Sequence, residues 1–237
     1  VVRFKVVGED AYFLAWTTTP WTLPSNVALC VNPNETYVKV KAADGYTYYM
    51  AEALLDKVLG KLATEDTPAY EILESYKGAE LEYKEYEPLF DFVKPTCEKQ
   101  NKKGHYITCD SYVTMTDGTG IVHIAPAYGA EDFWAAKNVD PKFPVLLNVG
   151  TYGNFDETVV DFAGENIFAA TPKIMDWLKA NGRLVKKEQY KHSYPFGDRS
   201  KEKLIQRATD SWYIDVPKIK DKLLANNAMV NWTSAGE

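Results

Sequence analysis

Two stretches decide how this chain reads: Trp16-Thr17-Thr18-Thr19-Pro20-Trp21-Thr22-Leu23-Pro24-Ser25-Asn26, and Gly118-Thr119-Gly120-Ile121-Val122-His123-Ile124-Ala125-Pro126-Ala127-Tyr128-Gly129-Ala130-Glu131-Asp132. In the first, an apolar and aromatic strand over residues 11–18 runs into a cluster of hydroxyls. Pro20 ends it, because a residue without an N–H cannot donate to a strand ladder. In the second, an apolar strand carries one His and meets a Pro/Gly turn, and acids then open a helix whose dipole they complement. Both stretches are strands that stop at a chemically loaded turn.

Working outward, the N-terminal region is rich in β structure. Residues 2–7 read as a strand, and 37–42 alternate polar and apolar before Asp44-Gly45, a tight-turn dipeptide, with aromatic 46–50 closing a hairpin. Leu54, Leu55, Val58, Leu59 and Leu62 share helical spacing within 51–62. Further strands are expected at 70–75, 106–109, 121–125 and 183–190, and an exposed loop at 98–104. Thr171 is the expected N-cap of a helix with Pro172 at its first position, Ile174, Trp177 and Leu178 on one face, and Gly182 beyond its end. A second helix is expected over 217–226. Irregularly spaced strands broken by short helices predict a mainly β fold, a β-barrel decorated with short α-helices, in preference to a doubly wound sheet.

The 237 residues, with 46% hydrophobic and 25% charged, suit a water-soluble globular chain and exclude disorder and collagen. No apolar run approaches the roughly 20 residues of a membrane-spanning helix, and the first residues do not form a signal peptide. No membrane is expected as a partner. Cys30, Cys97 and Cys109 are odd in number and widely spaced, which argues against a disulfide framework or a Cys-rich zinc site and for a reducing, cytoplasmic setting. A net charge of −6 opposes a broad grip on a phosphate backbone. Basic residues nevertheless gather between Arg183 and Arg207.

Standard catalytic signatures are missing: no phosphate-binding Gly-Lys-Ser/Thr loop, no Gly-x-Gly-x-x-Gly, no His-Glu-x-x-His and no Gly-x-Ser-x-Gly. Asp117-Gly118-Thr119-Gly120 is no aspartic-protease loop, since that chemistry needs two carboxylates sharing a proton. For the two stretches themselves, a functional and a bland reading stand side by side. Hydroxyls at a strand end can hold an ester, a ribose or a water, but Thr is also simply a good strand former. His123 and Asp132 can place an imidazole and a carboxylate on one pocket. Equally, a lone His on an apolar strand can be a hydrogen-bonded core residue, and an acid at a helix start can serve the dipole.

In this order the two stretches resemble the editing domain of isoleucyl-tRNA synthetase, the insertion that hydrolyses valine mischarged onto the isoleucine tRNA. The related valyl and leucyl domains have Thr-Thr-Arg-Pro at the first motif. Here Thr19 stands at the Arg position and Trp21-Thr22 follow the proline. The resemblance continues through His192-Ser193-Tyr194-Pro195-Phe196 and Ser211-Trp212, while Gly197-Asp198 replaces the usual Cys-Trp and residues 52–104 match less well. The two signatures of a class I synthetic site are absent. The resemblance therefore implies that residues 1–237 are a single aminoacyl-tRNA editing domain excised from a longer synthetase, unable to activate amino acids alone.

What the resemblance implies for chemistry is hydrolytic deacylation of valyl-tRNA(Ile), extending to valyl-adenylate, with isoleucine excluded by size. Forcing an extra methylene into a tight pocket costs about 1–3 kcal/mol. By the same resemblance Asp132 binds the substrate α-ammonium and His123 bounds the side-chain pocket. Thr17, Thr18 and Thr19 surround ester and water, and Trp16 and Asn26 are carried over as further substrate contacts. No residue is left over as general base, so a positioned water assisted by the free ribose hydroxyl is expected, with no cofactor and no metal. The partners implied are the 3′ acceptor end of tRNA(Ile) carrying valine and the remainder of the parent synthetase. The alternatives are an editing domain of a valyl or leucyl synthetase, or a non-catalytic module that binds the tRNA acceptor end.

Overall fold

The computed structural model describes residues 1–139, 142–190 and 193–232; Lys191 and His192, the latter opening one of the resembling motifs, lie outside the described residues. The elements in chain order are β1 (Val2–Lys5), β2 (Tyr12–Ala15), β3 (Ala28–Val31), β4 (Thr36–Ala42), β5 (Thr47–Ala51), α1 (Leu55–Leu59) and β6 (Tyr70–Lys77). There follow α2 (Lys94–Gln100), β7 (Tyr106–Cys109), β8 (Ile121–Ile124), α3 (Ala130–Asn138), α4 (Ile167–Ala180) and α5 (Val216–Ala228). Among the described residues no helix is long and apolar enough to cross a membrane.

The expected barrel is not formed. The strands make two open sheets, a five-stranded one in the order β1-β2-β5-β4-β6 and a three-stranded one in the order β7-β3-β8. Closure fails for a local reason at each end. Six of the eight residues of β6 are exposed, and among the described residues no further strand pairs with its outer edge. At the other end the outer edge of β1 meets isolated bridges alone, Val2 to Leu184 and, just past the strand, Val6 to Tyr86, and the expected strand at 183–190 does not develop. Nor is the fold mainly β: α4 runs for 14 residues and α5 for 13, which makes it a mixed α/β structure.

The hairpin between β4 and β5 turns at Asp44-Gly45, where Gly45 takes φ +88 and the Asp44 carboxylate accepts the Tyr46 amide at 3.0 Å. The centre of the second sheet is β3, which sequence reading passed over. All four of its residues are buried, because Leu29 and Val31 face the main core while Ala28 and Cys30 face a second core under α3. A strand buried on both faces shows no alternation and so gives no period to detect. Residues 98–100, expected in a loop, instead complete the last turn of α2.

Helix α4 also starts earlier than its sequence suggests. Its cap is Asn166, whose side chain accepts the Phe168 amide at 3.0 Å, and this leaves Pro172 inside the helix. An interior proline costs roughly 3 kcal/mol. The added turn buries Ile167 and Ala170 completely, and full burial of a large aliphatic side chain returns about 1.5–3 kcal/mol. Extending the helix past Pro172 is thus nearly neutral before any other contact is counted.

Candidate active site

The site is assembled where the end of β2 meets β8. Trp16 leaves β2 and forms a parallel bridge with Val122, its amide reaching the Ile121 carbonyl at 3.4 Å. Gly118 is required beneath it: its φ is +74, and a Cβ there would stand 3.0 Å from the Trp16 ring system. The chain then folds back on itself, with the Thr19 amide donating to Thr17 Oγ1 at 3.0 Å. Pro20 opens a 3₁₀ turn, Pro20–Ser25, in which Trp21, Thr22, Leu23, Pro24 and Ser25 are all buried. In such a turn residues three apart eclipse one another, which brings Thr19 and Thr22 together.

Three contacts join the two stretches. Thr22 Oγ1 lies 2.9 Å from His123 Nε2, across 101 residues of sequence. The Trp21 ring meets Tyr128 edge-on at 5.4 Å, and Trp16 bridges to Val122. Thr17, Thr19, Thr22 and His123 thereby form one run of polar groups, with hydroxyl separations of 3.4 Å between Thr17 and Thr19 and between Thr19 and Thr22. Thr18 is exposed.

The two titratable groups are held in different charge states at neutral pH. His123 is 6% exposed, and burial lowers its pKa to about 4, so the imidazole is neutral. Asp132 sits in the first turn of α3, half-buried, with Oδ2 accepting the Ala125 amide at 2.9 Å. Burial raises its pKa to about 6; the Ala125 bond opposes that rise and neighbouring Glu131 adds to it. The carboxylate is still ionised at pH 7. Gly129 makes room for it, since a Cβ there would come within 2.9 Å of the Asp132 Cγ. The turn is roofed by a distant segment: Gln206 Oε1 accepts the Ala130 amide at 3.0 Å, and the Ala208 amide donates to the Ala127 carbonyl at 2.7 Å. Gln206 thus satisfies one of the donors that a helix start leaves open.

A cleft of about 680 Å³ opens beside the Thr cluster, with Trp16, Thr17 and Thr18 on one side and Pro172, Met175 and Lys186 on another. Neither His123 nor Asp132 lines it. Tyr190 packs edge-on to Trp16 at 5.2 Å and separates this cleft from a smaller one of about 300 Å³ against Val122 and residues 118–121. Asn26 lies apart, 3% exposed, its amide donating to the Ala28 carbonyl at 2.8 Å and its oxygen accepting the Tyr86 hydroxyl at 2.7 Å. Both of its polar ends are thus committed inside the core. The residue that sequence reading did not single out is Thr22. Its signal was present, a hydroxyl three positions after Thr19 across a proline, a spacing that eclipses in a 3₁₀ turn.

Among the described residues no three His, Cys, Asp or Glu side chains gather as a metal site. No family model matches the chain. The chain is 43% identical over 232 residues to the isoleucine–tRNA ligase of Clostridium novyi (strain NT), covering 98% of itself and 21% of that protein. It is 39% identical to the cytoplasmic isoleucine–tRNA ligase of Arabidopsis thaliana, again over 98% of itself and 22% of that protein. The chain therefore spans about a fifth of the length of the curated relatives it matches. Among solved structures, GlLeuRS-CP1 superposes with a TM-score of 0.60 at 13% identity, over 81% of this chain and 98% of that one. The P. knowlesi cytosolic leucyl-tRNA synthetase editing domain gives 0.51 at 15% identity, over 73% and 82%. At such identities the structures speak for the fold alone. The chain is thus similar along nearly its whole length to a segment of isoleucine–tRNA ligases, and its fold is that of CP1 domains.

Proposed function

We propose that this segment hydrolyses the ester of valine mischarged onto tRNA(Ile) and spares the isoleucyl ester. The observation that carries the reading is the convergence of the two stretches, joined by the Thr22–His123 contact at 2.9 Å. Hydroxyls and a neutral imidazole are thereby joined at neighbouring strand ends, and the ionised Asp132 is anchored on the Ala125 amide just beyond β8. An ester hydrolase needs little more when its nucleophile is a positioned water, because orientation alone can supply much of the rate.

In this reading each group has one task. Asp132 holds the α-ammonium of the aminoacyl ester, with Oδ2 on the Ala125 amide and the other oxygen turned to the ligand. His123 is uncharged and buried, and it bounds the space offered to the amino-acid side chain. The hydroxyls of Thr17, Thr18 and Thr19 orient ester and water, and the cleft beside Thr17 and Thr18 admits the end of the tRNA. The whole chain acts as one editing domain of a longer synthetase, which supplies most of the affinity for tRNA. Trp16 belongs to the wall of that cleft, whereas Asn26 acts through the fold.

The test is a deacylation time course on the isolated chain with valyl-tRNA(Ile) and isoleucyl-tRNA(Ile) in parallel. The expected result is rapid release of valine with isoleucine retained. Equal rates overturn the size sieve, and no release from either ester at saturating enzyme leaves a module that only binds the acceptor end.

A further inference from the structure

A further cleft, of about 680 Å³, is built on the turn from β8 into α3, with Gly129, Trp134, Lys137, Arg207 and Tyr213 among the residues that line it. None of its lining residues is acidic, on a chain whose net charge is −6. Lys137 is matched by no carboxylate among the described residues; its Nζ lies 4.9 Å from the centre of the Trp134 ring and 5.6 Å from that of Phe133. Arg207 is held in place by Nε and Nη1, which donate to the Val149 and Ala208 carbonyls at 2.7 and 3.3 Å, and Nη2 is left over. Trp134 is 54% exposed and Tyr213 89%. A Lys in the last turn of α3 complements the helix dipole, which accounts for that charge by itself. It does not account for a large aromatic ring left in water beside the Lys, nor for a second cation brought there from a distant segment.

A ligand with a flat π face and a negative charge answers both features, and a single-stranded nucleotide has both: its base stacks on an aromatic ring while its phosphate meets a cation. A duplex would need a broad basic surface that this chain lacks. The cleft also stands beside the chemistry. Gly129 lies against Asp132, where a Cβ would come within 2.9 Å of the carboxylate carbon. Resting on the editing reading above, we propose that this cleft takes an unpaired nucleotide of the tRNA acceptor end, upstream of the terminal adenosine that carries the amino acid. The base stacks on Trp134, and the phosphate meets Lys137 and Nη2 of Arg207. Gln206 and Ala208 pin the Arg207 segment to the turn, through the Ala130 amide and the Ala127 carbonyl, so the site is in place before RNA arrives. A strand fixed there sets how far its last nucleotide advances towards the Thr cluster.

The test couples RNA binding to kinetics. The probe is a short single-stranded RNA of acceptor-end sequence carrying no amino acid, titrated onto the chain. Trp134→Ala should weaken its binding by about fivefold or more, and Trp134→Phe by less, because a phenyl ring keeps a stacking face. Lys137→Gln should make the slope of log K against log salt shallower by about 0.7, the share of one phosphate on a single strand. Replacing one upstream base by an abasic sugar should cost the parent as much as Trp134→Ala does, and the two changes together should cost no more than either alone. In deacylation, Trp134→Ala should raise KM for valyl-tRNA(Ile) by a similar factor with kcat kept. Valyl-adenosine, which has no upstream nucleotide, should be hydrolysed by that variant at the parental kcat/KM. Thermal unfolding of each variant shows that it is folded.

Parental RNA affinity in Trp134→Ala, or additivity with every abasic position, overturns the inference and gives the cleft to a protein contact instead. An equal loss on valyl-adenosine overturns it as well, since the cleft would then act on the terminal residue itself. A parent chain that binds the RNA through Trp134 and deacylates no ester overturns the editing reading and leaves the nucleotide site standing.

Discussion

Replacing Asp132 with Asn removes one charge and little else, since the side-chain oxygen can still accept the Ala125 amide now held by Oδ2 at 2.9 Å. The magnitude follows from the environment. Burial, with Glu131 adding to it, raises the Asp132 pKa from 3.8 to about 6. A folded-state pKa above the unfolded value means that the protonated form is the one folding favours. Its contribution to stability is fully present below about 4 and is lost as pH rises through about 6. At pH 7 the ionised carboxylate is therefore a burden on the free protein that an ammonium ligand relieves. Asp132→Asn is accordingly expected to melt at or above the parental temperature at pH 7. Its activity should move the other way: loss of a charge-assisted hydrogen bond of about 1.5–3 kcal/mol lowers kcat/KM for valyl-tRNA(Ile) by about 10- to 150-fold. Parental kcat/KM should itself fall by about tenfold per pH unit below roughly 6, as the carboxylate takes up its proton. The assay is kcat/KM against pH for both proteins, alongside thermal unfolding. A variant with parental kcat/KM, or a parental profile flat from about pH 7 to 5, refutes the assignment of the ammonium to Asp132.

Converting Thr17, Thr18 and Thr19 together to Val keeps their shape, costs about 1 kcal/mol for the Thr17 acceptor of the Thr19 amide, and should reduce deacylation by at least about tenfold, since methyls cannot orient a water. Unchanged activity would leave these residues with a structural role alone, in the turn after β2. His123→Ala should raise the rate on isoleucyl-tRNA(Ile) relative to valyl-tRNA(Ile) at least several-fold while costing a few kcal/mol of stability as a cavity; a constant ratio with lowered stability would make His123 a core residue alone. Glu9 offers a test of the fold. Burial by itself would raise its pKa, but hydrogen bonds from Lys84, Tyr49 and Lys39 outweigh that and hold it at about 2. Being below the ordinary 4.5, this pKa contributes stability that is present above about 4.5 and lost as pH falls through about 2. Urea unfolding of the parent should weaken across that window, and Glu9→Gln should be less stable at pH 7 and flatter in acid.

Local pattern was enough to place elements whose signals lie in a few adjacent residues. The hairpin at Asp44-Gly45, the strand Tyr106–Cys109 and the helix Val216–Ala228 are legible because a tight turn, a short apolar run and a proline near a helix start each act within one element. The order of the two motifs was likewise enough to point to the isoleucine–tRNA ligases with which the chain aligns. What local pattern could not decide was anything set by the other side of an interface. Whether strands close into a barrel depends on what lies beyond the edges at β1 and β6, and here β6 is exposed along most of its length. The start of α4 was decided by the burial of Ile167 and Ala170 together with the Asn166 cap, which offset the preference of Pro172 for a first turn. The strand β3 escaped notice because burial on both faces erases the alternation that marks a strand. At the site, sequence named Thr17, Thr18, Thr19, His123 and Asp132 as chemically suited groups. Tertiary structure decided that His123 is neutral, that Asp132 is ionised at a raised pKa, and that Thr22 touches the histidine. Charge state depends on desolvation, and the Thr22 contact on a hydrogen bond across 101 residues of chain, and neither exists until the two strand ends pack together.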